Sequence, residues 1–328
     1  MRHLLLATVL LAAHGTMAQR NLEVGLATGT VLYYGDLGNH HGAVQWNSAR
    51  PGISVTVRDF INNPKRYVTR SLTAEARFSW LRAGYDERAP IAGMAPADMR
   101  NLGRGLGFRN DLLGLSGHLV LNAYREPYRP LFQQRFFMYF HIGVGVYHGR
   151  PKADLFRGDA HPGSRYHFWP DGTTRDAPAG TPGARPIERD GTYETDLYAW
   201  HTEGAGDPEN GHARRGPSPF HLAIPAGTGV RYMLTRAISL GLEYQYVMFM
   251  NDRIDDVSDR YATHAEIEAA FPNDPVRQAM ARYISDPTGQ GTDGTRGAGT
   301  SRRGNPGLLD TLGFLSVEVS YKFKRRPG

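Results

Sequence analysis

Eight stretches of this chain alternate apolar and polar residues with a period of two, and this pattern limits the possible folds more than any other feature. Near the C-terminus, "FLSVEVSYKF" places Leu315, Val317, Val319, Tyr321 and Phe323 on one face, opposite small or charged residues. Side chains of a strand point alternately to the two faces of its sheet, so each stretch predicts a two-faced strand. The predicted strands are 21–36, 50–60, 69–84, 108–123, 135–149, 220–233, 237–250 and 312–323.

A two-faced strand fits a soluble sandwich as well as a barrel, but the connections between the strands favour the barrel. The short connections are 61–68, 124–134 and 234–236, and the long ones are 37–49, 85–107, 150–219 and 251–311. Strict alternation of short turns and long loops is typical of transmembrane β-barrels, whose turns are periplasmic and whose loops are extracellular. The sequence therefore predicts an all-β fold, an eight-stranded antiparallel transmembrane β-barrel with long extracellular loops at about 150–219 and 251–311.

The N-terminus predicts export from the cytoplasm. Residues 1–18, "MRHLLLATVLLAAHGTMA", combine a basic start, an apolar core over 4–13 and small residues at 16–18. The apolar core is too short to span a bilayer as a helix, so it is typical of a cleaved signal. We expect a signal peptide at 1–18 and one outer-membrane barrel domain at 19–328.

Composition excludes several other classes of protein. The chain has no cysteine, which rules out disulfides and thiolate metal sites. Its formal net charge of +6 is modest and scattered, without a basic stripe that interleaves with aromatic residues, so we expect no nucleic-acid partner. Its 39 glycines and 17 tyrosines agree with a turn-rich β protein.

Charged residues on the inner faces of the predicted strands could line a pore or fill the barrel. Glu75, Arg77, Glu243 and Glu318 all fall on predicted inner faces. Eight strands enclose a space that side chains can fill, so the sequence favours a plugged interior over a diffusion channel.

Catalysis is the alternative use of inward polar residues. Small barrels can cleave lipids with a serine, a histidine and an acid, and Ser116 and His118 lie two apart on one predicted face. Polar residues fill the interior of any small barrel, however. The sequence therefore predicts a non-catalytic protein without a cofactor.

The loops carry two local signals. Asp274-Pro275 combines a capping residue with a proline suited to a first helical position, and it predicts a helix start. In contrast, "DAPAGTPGARP" within 150–219 has no periodicity and predicts a mobile segment.

An acidic run, "NDRIDDVSDRY" at 251–261, opens the last long loop. Its four carboxylates are Asp252, Asp255, Asp256 and Asp259. Their spacing predicts that all four share one side of a solvated helical turn, with Arg253 and Arg260 as counter-charges. The run could bind calcium, which takes six to eight oxygens, but it lacks the order of an EF-hand loop. The pattern favours a structural, salt-bridged turn at the barrel rim, and calcium binding is the alternative.

Several stretches, in order along the chain, resemble the PorG-like family of Bacteroidetes outer-membrane β-barrel proteins. They are "GTVLYYGDLGN", "LGFRNDLLGLSGHL", "YFHIGVGVYHGRPKAD", "WHTEGAG", "LAIPAGTGVRYMLTRAISLGLEY", "NDRIDDVSDRY" and "GFLSVEVSYKF". The resemblance implies an integral protein of the outer membrane, in contact with its lipid. It also implies a place in type IX secretion, where the barrel would tie a periplasmic ring of a lipoprotein and a partner protein to the membrane. The alternatives are a small barrel enzyme acting on lipid and a ligand-binding or adhesion barrel.

Overall fold

Eight long strands follow one another along the chain, each antiparallel to the next. They are β1 (Leu22–Tyr34), β2 (Arg50–Phe60), β3 (Leu72–Asp86), β4 (Gly107–Asn122), β5 (Phe136–His148), β6 (Phe220–Met233), β7 (Ile238–Phe249) and β8 (Thr311–Lys322). These bounds confirm the eight predicted strands to within a few residues. The computed structural model describes residues 22–38, 44–60, 71–88, 95, 101–123, 135–204, 206–207, 212–213, 217–290 and 302–323. The predicted signal peptide lies outside the described residues.

Pairing of the first strand with the last closes the sheet. Leu26 of β1 is opposite Val55 of β2 on one side and Val319 of β8 on the other. Every other strand pairs with its neighbours in the sequence, so the sheet is an up-and-down barrel without a free edge. The four long loops all leave from one end of the barrel, and the chain enters and leaves at the other. The predicted eight-stranded antiparallel barrel is therefore confirmed.

The outer surface of the barrel is apolar. On β5, for example, every second side chain is apolar and between 45% and 71% exposed. Those side chains are Phe136, Met138, Phe140, Ile142, Val144 and Val146. The outward positions of the other strands follow the same rule, with leucine, valine and aromatic residues exposed. A soluble protein does not present a continuous apolar surface of this extent, whereas lipid requires it of a transmembrane barrel.

The interior has two zones. Charged and hydroxyl side chains fill the end near the termini, and aromatic and aliphatic side chains fill the end near the long loops. Tyr33, Phe108, Tyr147, Phe249 and Phe314 are essentially inaccessible to solvent and belong to the second zone. This apolar zone continues without a break into the loops, where Phe156 and Ile254 join the same cluster.

The long loops form a folded cap over the barrel mouth. Short paired strands order the third loop: Lys152–Ala153 with Thr195–Asp196, His167–Phe168 with Thr174–Arg175, and Gly206–Asp207 with His212–Ala213. Short 3₁₀ helices lie at Trp46–Ser48 and Leu197–Ala199, and α-helices at His264–Ala270 (α1) and Pro275–Ser285 (α2). Among the described residues, no helix combines the length and the apolar character needed to cross a membrane.

Capping explains where the two helices begin. Thr263 and Glu266 form a reciprocal capping box at the start of α1. Asp274 accepts a hydrogen bond from the backbone N–H of Arg277, and Pro275 occupies the first turn of α2, as the sequence predicts. Met280 and Ile284 are buried, which fixes α2 on the rest of the cap.

The segment "DAPAGTPGARP" differs from its prediction. It is a turn closed by two hydrogen bonds between Asp176 and Arg185, one of which joins the Arg185 N–H to the Asp176 carboxylate at 2.8 Å. The guanidinium of Arg175 also lies 4.0 Å from the ring centre of Trp169, whose indole N–H donates to the Ala177 carbonyl. Hydrogen bonds and a cation–π contact thus replace the missing apolar periodicity in ordering this segment.

Candidate functional site

Arg58 is the centre of the polar zone inside the barrel. It points inward from β2, is fully buried, and pairs with carboxylates from three other strands. Its guanidinium nitrogens lie 3.0 Å from Glu23, 2.5 Å from Glu75 and 2.6 Å from Glu318. One cation therefore joins β1, β2, β3 and β8 across the interior.

A second buried arginine extends the network towards the other side of the barrel. Arg77 lies 2.8 Å from Glu75 and 2.6 Å from Glu243. The hydroxyl of Tyr139 donates to Glu243 at 2.8 Å. Gly229 makes room for this tyrosine, because a Cβ at that position would lie 2.5 Å from the phenol oxygen.

Arg231 completes the network from β6, with nitrogens 3.5 Å from both Glu23 and Glu318. Three guanidinium groups thus hold four carboxylates inside the barrel, and all seven residues are at most 4% exposed. The inward positions predicted for Glu75 and Glu243, as for Arg77 and Glu318, are confirmed. Their mutual pairing fills the interior with an ion-pair plug.

Ser116 and His118 are neighbours, as their spacing predicts, but both point into the interior. The Ser116 hydroxyl lies 2.7 Å from Nε2 of His118, whose Nδ1 lies 3.1 Å from Nδ1 of His141. His141 in turn approaches Glu243 at 3.5 Å. Each of these side chains is at most 5% exposed, so the chain of polar groups is part of the plug and does not face lipid.

The acidic run after β7 lies at the junction of barrel and cap, and there the structure corrects two expectations. The run is not a helical turn, since its residues form bends and Asp256 has a positive φ of 63°. Nor is it solvated: Asp252, Asp255 and Asp256 are between 0% and 7% exposed, and only Asp259 is half-buried. Loops that lie far away in sequence cover the run, which local spacing does not reveal.

Asp255 is held by the barrel. The phenol of Tyr33, at the mouth of β1, donates a short hydrogen bond to its carboxylate, and the Val257 N–H donates at 2.8 Å. Asp310, immediately before β8, lies 3.4 Å from the same phenol oxygen and accepts the Ile254 N–H at 3.0 Å. The acidic run is therefore tied to the start of β8 through one tyrosine.

Asp256 is held by the cap. The hydroxyl of Thr202 donates to its carboxylate, and a guanidinium nitrogen of Arg303 lies 3.7 Å from it. Arg303 also donates to the Asp256 carbonyl. The predicted counter-charge Arg260 instead makes a two-point contact with Glu266 of α1 at 2.6 and 2.9 Å. The main counter-charge of Asp256 thus comes from the far end of the loop, and the predicted Arg253 adds a weaker favourable charge.

Burial shifts the titration of these aspartates. Burial, together with Asp255 and Asp36, raises the pKa of Asp252 to about 8. Burial also raises the pKa of Asp255 to about 7, although the hydrogen bond from Tyr33 opposes the shift. The pKa of Asp256 rises to about 6 for the same main reason, against the lowering effect of Arg303. The junction therefore holds carboxyl groups that keep protons well above the acidic range.

The structure contains a second acidic cluster that the sequence patterns do not predict. Asp154, Asp190 and Glu194 of the third loop bring one carboxylate oxygen each to within 4.8 Å of the others. Asp154 and Asp190 are 36 residues apart, so no compact sequence motif contains all three acids. The stretch "DGTYE" at 190–194 indicates only a turn with two acids. The predicted run at 251–261 forms no such convergent group among the described residues.

The apolar outer surface, the closed sheet and the plugged interior together define an integral β-barrel of the outer membrane. No family model matches the chain, and no curated protein does. Several solved structures match almost the whole length of the chain, and three of them are compared below.

The first is Neisserial surface protein A, with a TM-score of 0.35, 10% identity, and coverage of 92% of this chain and 97% of that one. The second is Ail of Yersinia pestis, solved with the heparin analogue sucrose octasulfate, with a TM-score of 0.35, 8% identity, and coverage of 93% and 99%. The third is a major outer membrane protein of Thermus thermophilus, with a TM-score of 0.33, 9% identity, and coverage of 92% and 99%. The assignment to the membrane rests on the apolar surface of this chain.

Proposed function

We propose that this protein is a non-catalytic anchor that ties a periplasmic complex to the outer membrane. The observation that carries the proposal is the ion-pair plug: Arg58, Arg77 and their carboxylates fill the interior from wall to wall. A plugged barrel offers no solute pathway, so its work falls to the surfaces at its two ends.

The position of Ser116 and His118 supports a non-catalytic role. Their 2.7 Å contact resembles part of a nucleophile–base pair, but lipid-cleaving chemistry needs that pair on the lipid-facing side or at the rim. Here both side chains are buried among inward-facing polar groups. The contact between Ser116 and His118 is explained by the need of buried polar groups for hydrogen-bond partners inside the plug.

The resemblance of the sequence to PorG-like proteins supports a more specific partner. We propose a periplasmic ring of the type IX secretion machinery, made of a lipoprotein and its partner protein. The turn 234–237 between β6 and β7 lies at the barrel end that we expect to face the periplasm, and its residues Leu234, Thr235 and Arg236 are open to solvent. The segments "YREPYRP" at 124–130 and "KRRPG" at 324–328, which the strand order places at the same end of the barrel, lie outside the described residues.

Site-directed crosslinking tests the anchor. Because the chain has no cysteine, Arg236→Cys creates a unique thiol on the periplasmic turn, and Thr181→Cys creates a matched one on the exposed cap. A thiol-reactive crosslinker in whole cells should capture periplasmic ring proteins through Arg236→Cys and not through Thr181→Cys.

The opposite result would change the assignment. Capture through Thr181→Cys alone would favour the alternative, a ligand-binding or adhesion barrel that works through its cap. Isolation of the barrel without any periplasmic partner, both by crosslinking and by pull-down from detergent-solubilised membranes, would overturn the proposed anchor.

A further inference from the structure

The third loop contains an acidic cluster that the proposed anchor does not use. Asp154 directly follows the short strand Lys152–Ala153, and Glu194 directly precedes Thr195–Asp196. Since Ala153 is opposite Thr195 in that antiparallel pair, the two acids face each other at the base of the arm 154–194. Asp190 joins them from the turn that leads back to the pair.

Backbone groups position the three carboxylates. Glu194 Oε1 accepts the N–H groups of Leu155 at 3.0 Å and Phe156 at 2.9 Å. Asp190 Oδ2 accepts the Gly158 N–H at 2.7 Å, and the Asp190 N–H donates to the hydroxyl of Tyr166 at 2.9 Å. These contacts hold three negatively charged groups together in spite of their repulsion.

Asp154 provides the observation that points to a ligand. Its side chain is only 6% exposed, and its Oδ2 accepts the Gly191 N–H at 3.0 Å. Its Oδ1 is buried and has no hydrogen-bond partner among the residues that the structure describes. A buried carboxylate oxygen without a partner is costly, and a bound cation would remove that cost.

No side-chain cation fills this role. None of the three acids forms an ion pair with any residue that the structure describes, whereas acids elsewhere in the same loop, such as Asp171 and Asp196, do so. The cluster therefore has an excess of negative charge around an oxygen that lacks a partner.

We propose that Asp154, Asp190 and Glu194 form a calcium site that clamps the base of this extracellular arm. Oxygen-only donors select hard divalent cations, and calcium tolerates irregular sites with six to eight oxygens at about 2.3–2.6 Å. Two ligands on opposite sides of such an ion lie up to about 5 Å apart, so three oxygens within 4.8 Å of one another are close enough to bind one ion. Water completes the shell from the open side, where Asp190 is exposed.

The site would connect the arm to the barrel wall. Lys152 pairs with Arg109 of β4 as well as with Asp196, so the short strand beside Asp154 extends the sheet of the barrel. A cation that joins Asp154 to Asp190 and Glu194 would therefore fix residues 154–194 to a rigid strand end. Loss of the cation would loosen the arm without affecting the strands.

Terbium luminescence on the intact protein in detergent tests the site. Tyr166, next to Asp190, is positioned to sensitise a bound lanthanide, and calcium should displace the terbium with a Kd of about 10⁻⁴–10⁻³ M, the range of extracellular calcium modules. Asp154→Asn and Glu194→Gln, which keep size and hydrogen-bond acceptors, should each weaken binding by at least about tenfold, because ligand charge sets affinity. Calcium should also slow protease cleavage within the arm of the wild type, but not within the arm of these two variants.

Two controls locate the site. Asp176→Asn removes an acid from the same arm outside the cluster, and Asp252→Asn removes one from the acidic run; both should bind as the wild type does. The mobility of the folded barrel on unheated detergent gels verifies folding of each variant. Absence of any displacement up to about 10 mM calcium, tenfold above the expected range, would overturn the proposal. So would a signal that survives Asp154→Asn but is lost in Asp252→Asn, or one displaced equally well by magnesium, which would indicate a non-selective acidic surface.

Discussion

The polar zone of the barrel and the acidic run beneath the cap both bury carboxylates, but they balance the charge differently. Inside the barrel, each buried glutamate of the network lies within 3.0 Å of an arginine nitrogen. In the acidic run, Asp252, Asp255 and the adjacent Asp310 form no ion pair with a described residue. Hydrogen bonds from Tyr33 and the backbone take the place of cations at Asp255 and Asp310, and Asp252 has two buried carboxylate oxygens that no described group contacts by a hydrogen bond.

This difference in charge balance determines which of the two regions can change its charge with pH. The counter-charges of the plug are guanidinium groups, and arginine keeps its charge under all physiological conditions. Aspartates that burial has moved to a pKa of about 7 or 8 exchange protons near neutrality. The plug is therefore a fixed structural element, whereas the junction between barrel and cap is sensitive to pH.

Removal of the central cation of the plug should have the largest effect. Arg58→Met leaves Glu23, Glu75 and Glu318 without their closest cation in a buried site, and we expect the free energy of unfolding to fall by about 3–5 kcal/mol. Urea titration of the barrel in lipid vesicles, followed by gel mobility, measures this change.

Ser54→Ala is the matched control, since Ser54 lies on the same strand and is buried, and its Oγ forms no hydrogen bond with a described residue. It should unfold at the wild-type urea concentration. Equal stability of Arg58→Met and Ser54→Ala would mean that the ion pairs do not hold the interior together.

The corresponding change in the cap should be smaller and local. Arg303 contacts Asp256 at 3.7 Å and Glu203 at 3.8 Å, so Arg303→Met should destabilise the cap by about 1–3 kcal/mol. Hydrogen exchange should increase in 251–262 and remain unchanged in the barrel strands.

Arg302→Met, at the exposed neighbouring position, should leave the exchange unchanged. If Arg303→Met lowered the stability of the barrel itself, the cap and the plug would be one cooperative unit, and the distinction between the two regions would be wrong.

The pH dependence tests the acidic run directly. Because the pKa values of Asp252 and Asp255 are raised, the native state binds protons more tightly than the unfolded state. The resulting stabilisation is complete below about pH 4 and is lost as the pH rises through about 7 to 8. Exchange protection in 251–262 should therefore fall between pH 5 and 8, and Asp252→Asn should flatten this slope.

Asp171→Asn provides the comparison for that experiment. Hydrogen bonds from Thr173 lower the pKa of this exposed aspartate, so its removal should not change the slope. A slope that Asp252→Asn leaves intact would assign the pH response to other groups.

Removal of the capping residue of α2 should have the smallest effect, confined to that helix of the cap. Asp274 accepts the Arg277 N–H at the start of α2, and Asp274→Ala should cost about 1 kcal/mol of helix stability. Increased exchange within 275–285 alone would fit this expectation. An effect on the acidic run as large as that of Arg303→Met would show that α2 and the run are not independent.

The barrel could be predicted from the sequence because successive residues of each strand face lipid and the barrel interior in turn. Lipid selects apolar residues at positions such as Leu315 and Val317, and the narrow interior selects polar or small residues at Ser316 and Glu318. Alternation and loop length were therefore sufficient to place all eight strands. The plug was also predictable, since the interior of eight strands has room only for side chains.

The surroundings of the loop acids could not be predicted, because they depend on contacts between distant parts of the chain. Tyr33 and Asp255 are separated by 222 residues, and no local spacing indicates that one covers the other. Asp154 reaches Asp190 and Glu194 through the pairing of two-residue strands, which are too short to give a periodic signal. Local propensity did predict the start of α2, since its capping residues are adjacent in the sequence.

We propose that the filled interior leaves the function of this barrel to its two ends. Single-channel recording across a planar lipid bilayer tests it most directly, with a porin as positive control. We expect the purified wild-type protein to give no discrete conductance steps at any voltage the bilayer withstands. Stable, reproducible steps that Arg58→Met or Glu243→Gln alters in size would contradict the claim, because ions would then pass through the polar zone that these residues fill.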